Sequence, residues 1–167
     1  MIQVGVIIAS DKGAAGLRED LCAPLIVEMV ESKGYKVTSV KVLPDDREAL
    51  SYEMIRLCDT GNVSLILTSG GTGFSLRDVT PEATRAVIER EAPGVAEAIR
   101  YNSLQITPKA MLSRGIAGIR GQTLIVNLPG SPKAVKESLE YIIEPLKHGL
   151  EVLGGVATEC EDPITKK

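Results

Sequence analysis

The sequence predicts an α/β fold, a three-layer α/β/α sandwich built on a mostly parallel, mixed sheet with one antiparallel edge strand. Short β-branched apolar runs alternate along the chain with longer segments whose apolar residues recur at helical spacing. Two closely spaced runs late in the chain flank a glycine turn, which adds the antiparallel strand. The 167 residues suit one domain, and no linker or internal repeat divides them.

Residues 2–10 form a β-branched apolar run that reads as a buried parallel strand. Leu21, Leu25, Ile26, Met29 and Val30 then recur at helical spacing up to Gly34, a C-cap candidate. Pro24 is tolerable there only in the first turn. Lys36–Leu43 alternates like a strand, residues 46–58 read as a helix, and residues 63–68 are a third strand. Residues 80–90 and 93–101 read as two helices separated at Ala92-Pro93-Gly94. Residues 115–119 and 123–127 flank Arg120-Gly121-Gln122 as a hairpin. Pro132–Leu153 is a long amphipathic helix, with a bend or interruption expected near Pro145. The domain spans residues 1–158, and residues 159–167 form a polar tail.

Composition excludes several classes. Hydrophobic residues at 44% and charged residues at 25% are globular values, so disorder is not expected. No apolar run approaches the ~18 residues of a membrane span. Met1-Ile2-Gln3 leads straight into the first strand without a basic n-region, so a cytoplasmic protein is expected. A net charge of −3, aromatics at 3% and no Trp give neither the basic field nor the stacking surface of a nucleic-acid binder. An anionic ligand must therefore be held by local geometry.

Cys22, Cys58 and Cys160 include no CxxC pair, which argues against a zinc site or disulfide framework. Cys22 and Cys58 fall in apolar helical patterns and read as buried small hydrophobes. His148, the only histidine, falls near a helix end and reads as a surface residue. Ser-His-Asp or Cys-His catalysis is thus disfavoured.

Ligands in open α/β sheets bind beyond the carboxyl ends of strands, and three such ends here are unusual. Ser69-Gly70-Gly71-Thr72-Gly73 could be a tight turn, but its glycines also remove every Cβ that would keep a phosphate from the backbone amides. Its spacing matches neither a Walker loop nor a dinucleotide fingerprint. In the segment Arg77-Asp78-Val79-Thr80-Pro81, Thr80 reads as an N-cap and Pro81 as N1. Asp78 either complements the helix dipole or is held for a ligand. Asn127-Leu128-Pro129-Gly130-Ser131-Pro132-Lys133 ends a strand in glycine and starts a helix. Lys133 opposes the macrodipole unless an anion sits at that N-terminus, which makes this loop the best phosphate candidate. Asp45 and Glu48 fit a capping pattern, yet Asp45 also follows the second strand's carboxyl end. Ser113-Arg114, before the hairpin, is by itself an ordinary polar pair.

The glycine loop with Thr68 before it, the Arg77–Ala83 segment, Leu112-Ser113-Arg114 and the Asn127–Lys133 segment together resemble the molybdenum-cofactor biosynthesis family. The likeness is to its MogA-type molybdopterin adenylyltransferases, with gephyrin G domains as eukaryotic relatives. It runs in order from Val4 to about Gly149. The resemblance implies transfer of AMP from ATP to the terminal phosphate of molybdopterin, with Mg²⁺ and release of pyrophosphate. It also implies homotrimers and a partner protein that inserts molybdate. The family's two functional aspartates fall on Asp45 and Asp78, and its molybdopterin-holding serine falls on Ser113. Asp45 is assigned to catalysis, through Mg²⁺, and Asp78 to the pterin; the two roles could be exchanged. Ser10, Asp11, Ser69, Gly70, Gly71, Thr72 and Gly73 are expected to bind substrate. So are Arg114, Asn127, Pro129, Gly130, Ser131 and Lys133. MoaB-type proteins share the glycine loop without the Arg-Asp-Val-Thr-Pro-Glu form found here. A non-catalytic molybdopterin carrier and an oligomeric scaffold are the alternatives; helix 93–101 and segment 104–111 carry apolar surface suited to a subunit contact.

Overall fold

A computed structural model describes residues 1–156. Six strands form one sheet in the order β2-β1-β3-β6-β5-β4. They are β1 (Gln3–Ala9), β2 (Lys36–Leu43), β3 (Leu65–Ser69), β4 (Arg90–Glu91), β5 (Ala117–Arg120) and β6 (Thr123–Leu128). The first four in spatial order are parallel, and β5 runs antiparallel to both β6 and β4. The helices are α1 (Asp11–Ala14), α2 (Cys22–Ser32), α3 (Arg47–Asp59), α4 (Thr80–Val87), α5 (Pro93–Leu104) and α6 (Pro132–Leu153), with a 3-10 helix at Pro108–Leu112.

The period-two pleat of the central strands creates the three layers. Val4, Val6, Ile8, Leu65, Leu67 and Val126 point to a core shared with α2, α5 and α6. Ile7, Ala9, Ile66 and Ile125 point the other way, against Leu50 and Met54 of α3 and Ala83 of α4. Burying both faces lets these strands be continuously apolar.

Several boundaries differ from the sequence reading. The antiparallel strand β5 is not outermost, because the two-residue β4 pairs along its free side. That pairing also ends α4 at Val87: Ile88 turns extended and Glu89 N–H donates to Ile119 O at 2.8 Å. Thr80 is the first helical residue rather than the cap. Its N–H bonds to Gly71 O at 3.1 Å, and Val79 sits at the N-cap with no side-chain bond. Helix α3 is capped by Asp46, whose Oδ1 accepts from Ala49 N–H at 2.8 Å, not by Asp45. Helix α6 runs unbroken through Pro145, held by buried Ile142, Ile143, Leu146 and Leu150. Pro24 falls in the first turn of α2, where its missing N–H costs nothing. Gly34 has φ +82°, the left-handed turn expected after a helix. Cys22 is buried and Cys58 half-buried, while His148 is exposed on α6. Cys160 and the proposed tail lie outside the described residues.

Candidate functional site

Because β1, β2, β3 and β6 are parallel, their carboxyl ends share one edge of the sheet. The loops leaving them line a cleft of about 450 Å³. Ser10, Asp45, Ser69, Gly70, Gly71, Asp78, Gly130 and Ser131 all lie on its wall.

The glycine loop needs its glycines. Gly70 (φ +94°) and Gly71 (φ +66°) are left-handed, and a Cβ at Gly70 would strike Ala9 O while one at Gly71 would strike Thr80 Oγ1. A Cβ on Gly130 would come within 3.2 Å of Gly70 Cα, so the two phosphate-loop candidates are in contact through their backbones. Ser69 Oγ ties them further by donating to Pro129 O at 2.7 Å.

Asp11 and Asp45 form a reciprocal bracket across the ends of β1 and β2. Asp11 N–H donates to Asp45 Oδ2 and Asp45 N–H donates to Asp11 Oδ1, each at 3.0 Å. Arg77 closes on Asp11 with Nε and Nη2, both at 2.9 Å. This bracket aims Asp45 Oδ1 at the glycine loop, 3.1 Å from where a Gly71 Cβ would stand. Asp78 Oδ2 accepts from Ser75 N–H at 3.0 Å.

Other sequence candidates build the frame instead of lining the cleft. Arg114 donates to Gly73 O and to Asp78 O, both at 2.7 Å, and pairs with Glu82. Its own N–H bonds to the carbonyl of buried Thr72 at 2.8 Å. It therefore clamps the glycine loop to the Asp78 turn. Asn127 is buried and saturated: Nδ2 donates to Thr68 Oγ1 (3.0 Å) and Thr84 Oγ1 (2.9 Å), and Oδ1 accepts from Ile116 N–H (3.1 Å). Ser113 Oγ accepts from Gly115 N–H at 3.4 Å. Lys133 projects into solvent, 81% exposed, with Nζ 3.9 Å from Glu137. The sequence reading missed Arg18, Asp20 and Cys22, which also line the cleft. Only Asp20 left a signal, an acid just before an apolar helix; it accepts from Cys22 N–H at 2.9 Å and Ala23 N–H at 3.2 Å.

Residues 5–148 match the family described as "probable molybdopterin binding domain". The chain belongs to this family. Among curated members, the molybdopterin adenylyltransferase of Helicobacter pylori strain J99 is 38% identical over 158 residues, covering 92% of this chain and 89% of that one. Gephyrin of Dictyostelium discoideum is 41% identical over 160 residues, covering 90% of this chain and 22% of its own length. The crystal structure of the molybdopterin biosynthesis enzyme MoaB from Thermus thermophilus is 44% identical with a TM-score of 0.88, covering 93% of this chain and 98% of that one.

Within this family member, the cleft is rich in negative charge. Among the described residues, Glu19, Asp20, Asp45 and Asp78 line it against one cation, Arg18. Burial pushes the Asp45 carboxyl above its usual range, and the charges of Asp11 and Asp78 add to that against the opposing Asp11 N–H and Arg77. Asp11 is held below the usual range by its hydrogen bonds from Arg77 and then by Asp45 N–H. Burial raises the Cys22 thiol, so it is not an activated nucleophile. Among the described residues, no cluster of three or more His, Cys, Asp or Glu is placed to hold a metal by itself, and no helix is long and apolar enough to cross a membrane.

Proposed function

We propose that the protein is a molybdopterin adenylyltransferase of molybdenum-cofactor biosynthesis, working in the cytoplasm on ATP and molybdopterin. The observation that carries this reading is the meeting of the Gly70-Gly71 and Gly130-Ser131 backbones beside two carboxylates in one cleft. An oxygen of the molybdopterin phosphate attacks the α-phosphorus of ATP. A new P–O–P bond forms, the bond to the β-phosphate breaks, and pyrophosphate leaves with the electron pair. The attacking monoester is largely ionised at pH 7, since its second pKa is ~6, so no general base is required. That suits a cleft without histidine. The protein's part is alignment and charge compensation. Glycine-loop amides and the N-terminus of α6, whose first turn holds no acid, meet the phosphates. The Asp11–Asp45 bracket fixes the carboxylate beside them, and Asp78 is available to accept from the paired N–H groups of a pterin edge.

The donor set fits Mg²⁺ that arrives with the nucleotide. Mg²⁺ is commonly held by one or two carboxylates plus substrate phosphates rather than by an all-protein cage. Asp45, charged against a resisting environment, is the residue that would hold it, with Asp78 as the second. When bound, the ion neutralises phosphate charge that these carboxylates would otherwise repel.

Pyrophosphate release on mixing the protein with ATP, Mg²⁺ and molybdopterin tests the reading. Release by wild type and none by Asp45→Ala is expected; no release by wild type would replace it with the carrier reading. We also infer a homotrimer and a separate molybdate-inserting partner. The apolar face formed by Val95, Ala98, Tyr141, Pro145 and Leu153 supports self-association. Sedimentation showing only monomer would remove the trimer.

A further inference from the structure

We propose that Arg18 grips the polyphosphate of the nucleotide and makes the cleft selective for nucleoside triphosphates. This inference rests on the adenylyltransferase reading and adds a residue to it.

A polyanion entering a cleft lined by four carboxylates needs a cation from the protein as well as from the solution. Three neighbouring basic residues are turned to other partners. Arg77 is held bidentately by Asp11, Arg114 is spent on two carbonyls and Glu82, and Lys133 points outward beside Glu137. Among the described basic residues, Arg18 alone lines the cleft; it is exposed and engages no carboxylate among those residues. Its segment is anchored to the phosphate loop: Asp20 caps α2, and Cys22 Sγ contacts Gly130 O at 3.6 Å. The Asp20 carboxylate already occupies the first amides of α2, so those amides are closed to a phosphate. The anion is left with the glycine loop, the start of α6 and the Arg18 guanidinium, whose planar fork suits two phosphate oxygens at once.

Calorimetric titration of MgATP, AMP and adenosine into wild type, Arg18→Ala and Arg18→Lys tests the assignment. Arg18→Ala should weaken MgATP by about tenfold, the loss of one charge-assisted contact, and leave adenosine unchanged. Arg18→Lys should recover part of that loss, and the exposed site should leave the melting temperature where it was. Equal MgATP affinity for wild type and Arg18→Ala, or an equal loss for adenosine, would overturn the role of Arg18 and leave the adenylyltransferase reading standing. A wild-type protein that binds no MgATP would overturn both.

Discussion

Asp45 is the residue on which sequence and structure pull hardest against each other. From sequence, Asp45 with Glu48 fits a capping pattern before a helix. The structure gives the cap to Asp46 and locks Asp45 to Asp11, because the bracket forms only when the ends of β1 and β2 are side by side. No local pattern carries that long-range pairing. For Asp45→Ala, adenylyl transfer should vanish while molybdopterin still binds; Asp78→Ala should weaken molybdopterin binding itself. Wild-type binding and turnover in both would end the two-carboxylate scheme. Asp45→Asn should keep the acceptor for Asp11 N–H yet remove a charge its surroundings resist. Urea unfolding at pH 7 should therefore find it more stable than wild type, although inactive. Asn127 teaches a related lesson: its motif position was legible, but its work is to join β6 to Thr68 and Thr84. Asn127→Ala should cost about 2–4 kcal/mol of stability by leaving buried groups unpaired, and an unchanged urea midpoint would contradict that role.

At the scale of elements, strands, helix starts and the glycine loop were readable because period, proline and glycine are local signals. Ser131 caps α6 as the Ser-Pro pattern indicates, accepting from Ala134 N–H at 3.3 Å. What misled was tertiary pairing. The helical pattern of residues 80–90 gives way after Val87, where β5 offers hydrogen bonds that outweigh propensity. Helix α6 keeps Pro145 because its buried face packs across the break. The loop between β3 and α4 makes a sharp demand. Buried Thr80 Oγ1 has no hydrogen-bond partner among the described residues and stands where a Gly71 Cβ would go. Gly71→Ala should thus combine backbone strain with a collision and lower stability by about 1–3 kcal/mol. Gly121→Ala, strained in φ but with open space around it, should cost less. Thermal unfolding of the pair separates the two effects, and equal losses would mean the packing below the loop is looser than described.

For the whole molecule, opposing carboxylates set the response to acid. Buried Glu53 accepts from Arg56 at 2.9 and 2.7 Å and from Lys41 at 3.0 Å, and the Arg56 bonds hold its carboxyl below the usual range. Its folded pKa is depressed, so its stabilisation is complete above the unfolded value of ~4.3 and is lost as pH falls through the folded one. Asp45 has the opposite sign: its raised folded pKa burdens the fold at neutral pH, and protonation relieves that burden. Glu53→Gln should reduce stability at pH 7 and flatten the fall in stability on acidification; a slope as steep as wild type would reject Glu53 as a main contributor. The sheet brings four strand ends together at the cleft, and only that global arrangement turns scattered glycines and aspartates into one site. The most direct test is the mass of the pterin product after incubation with ATP, Mg²⁺ and molybdopterin. Molybdopterin gaining one adenylyl group with wild type, and none with Asp45→Ala, is the expected result. Unmodified molybdopterin recovered from a wild-type protein that binds both substrates would contradict catalysis at this cleft.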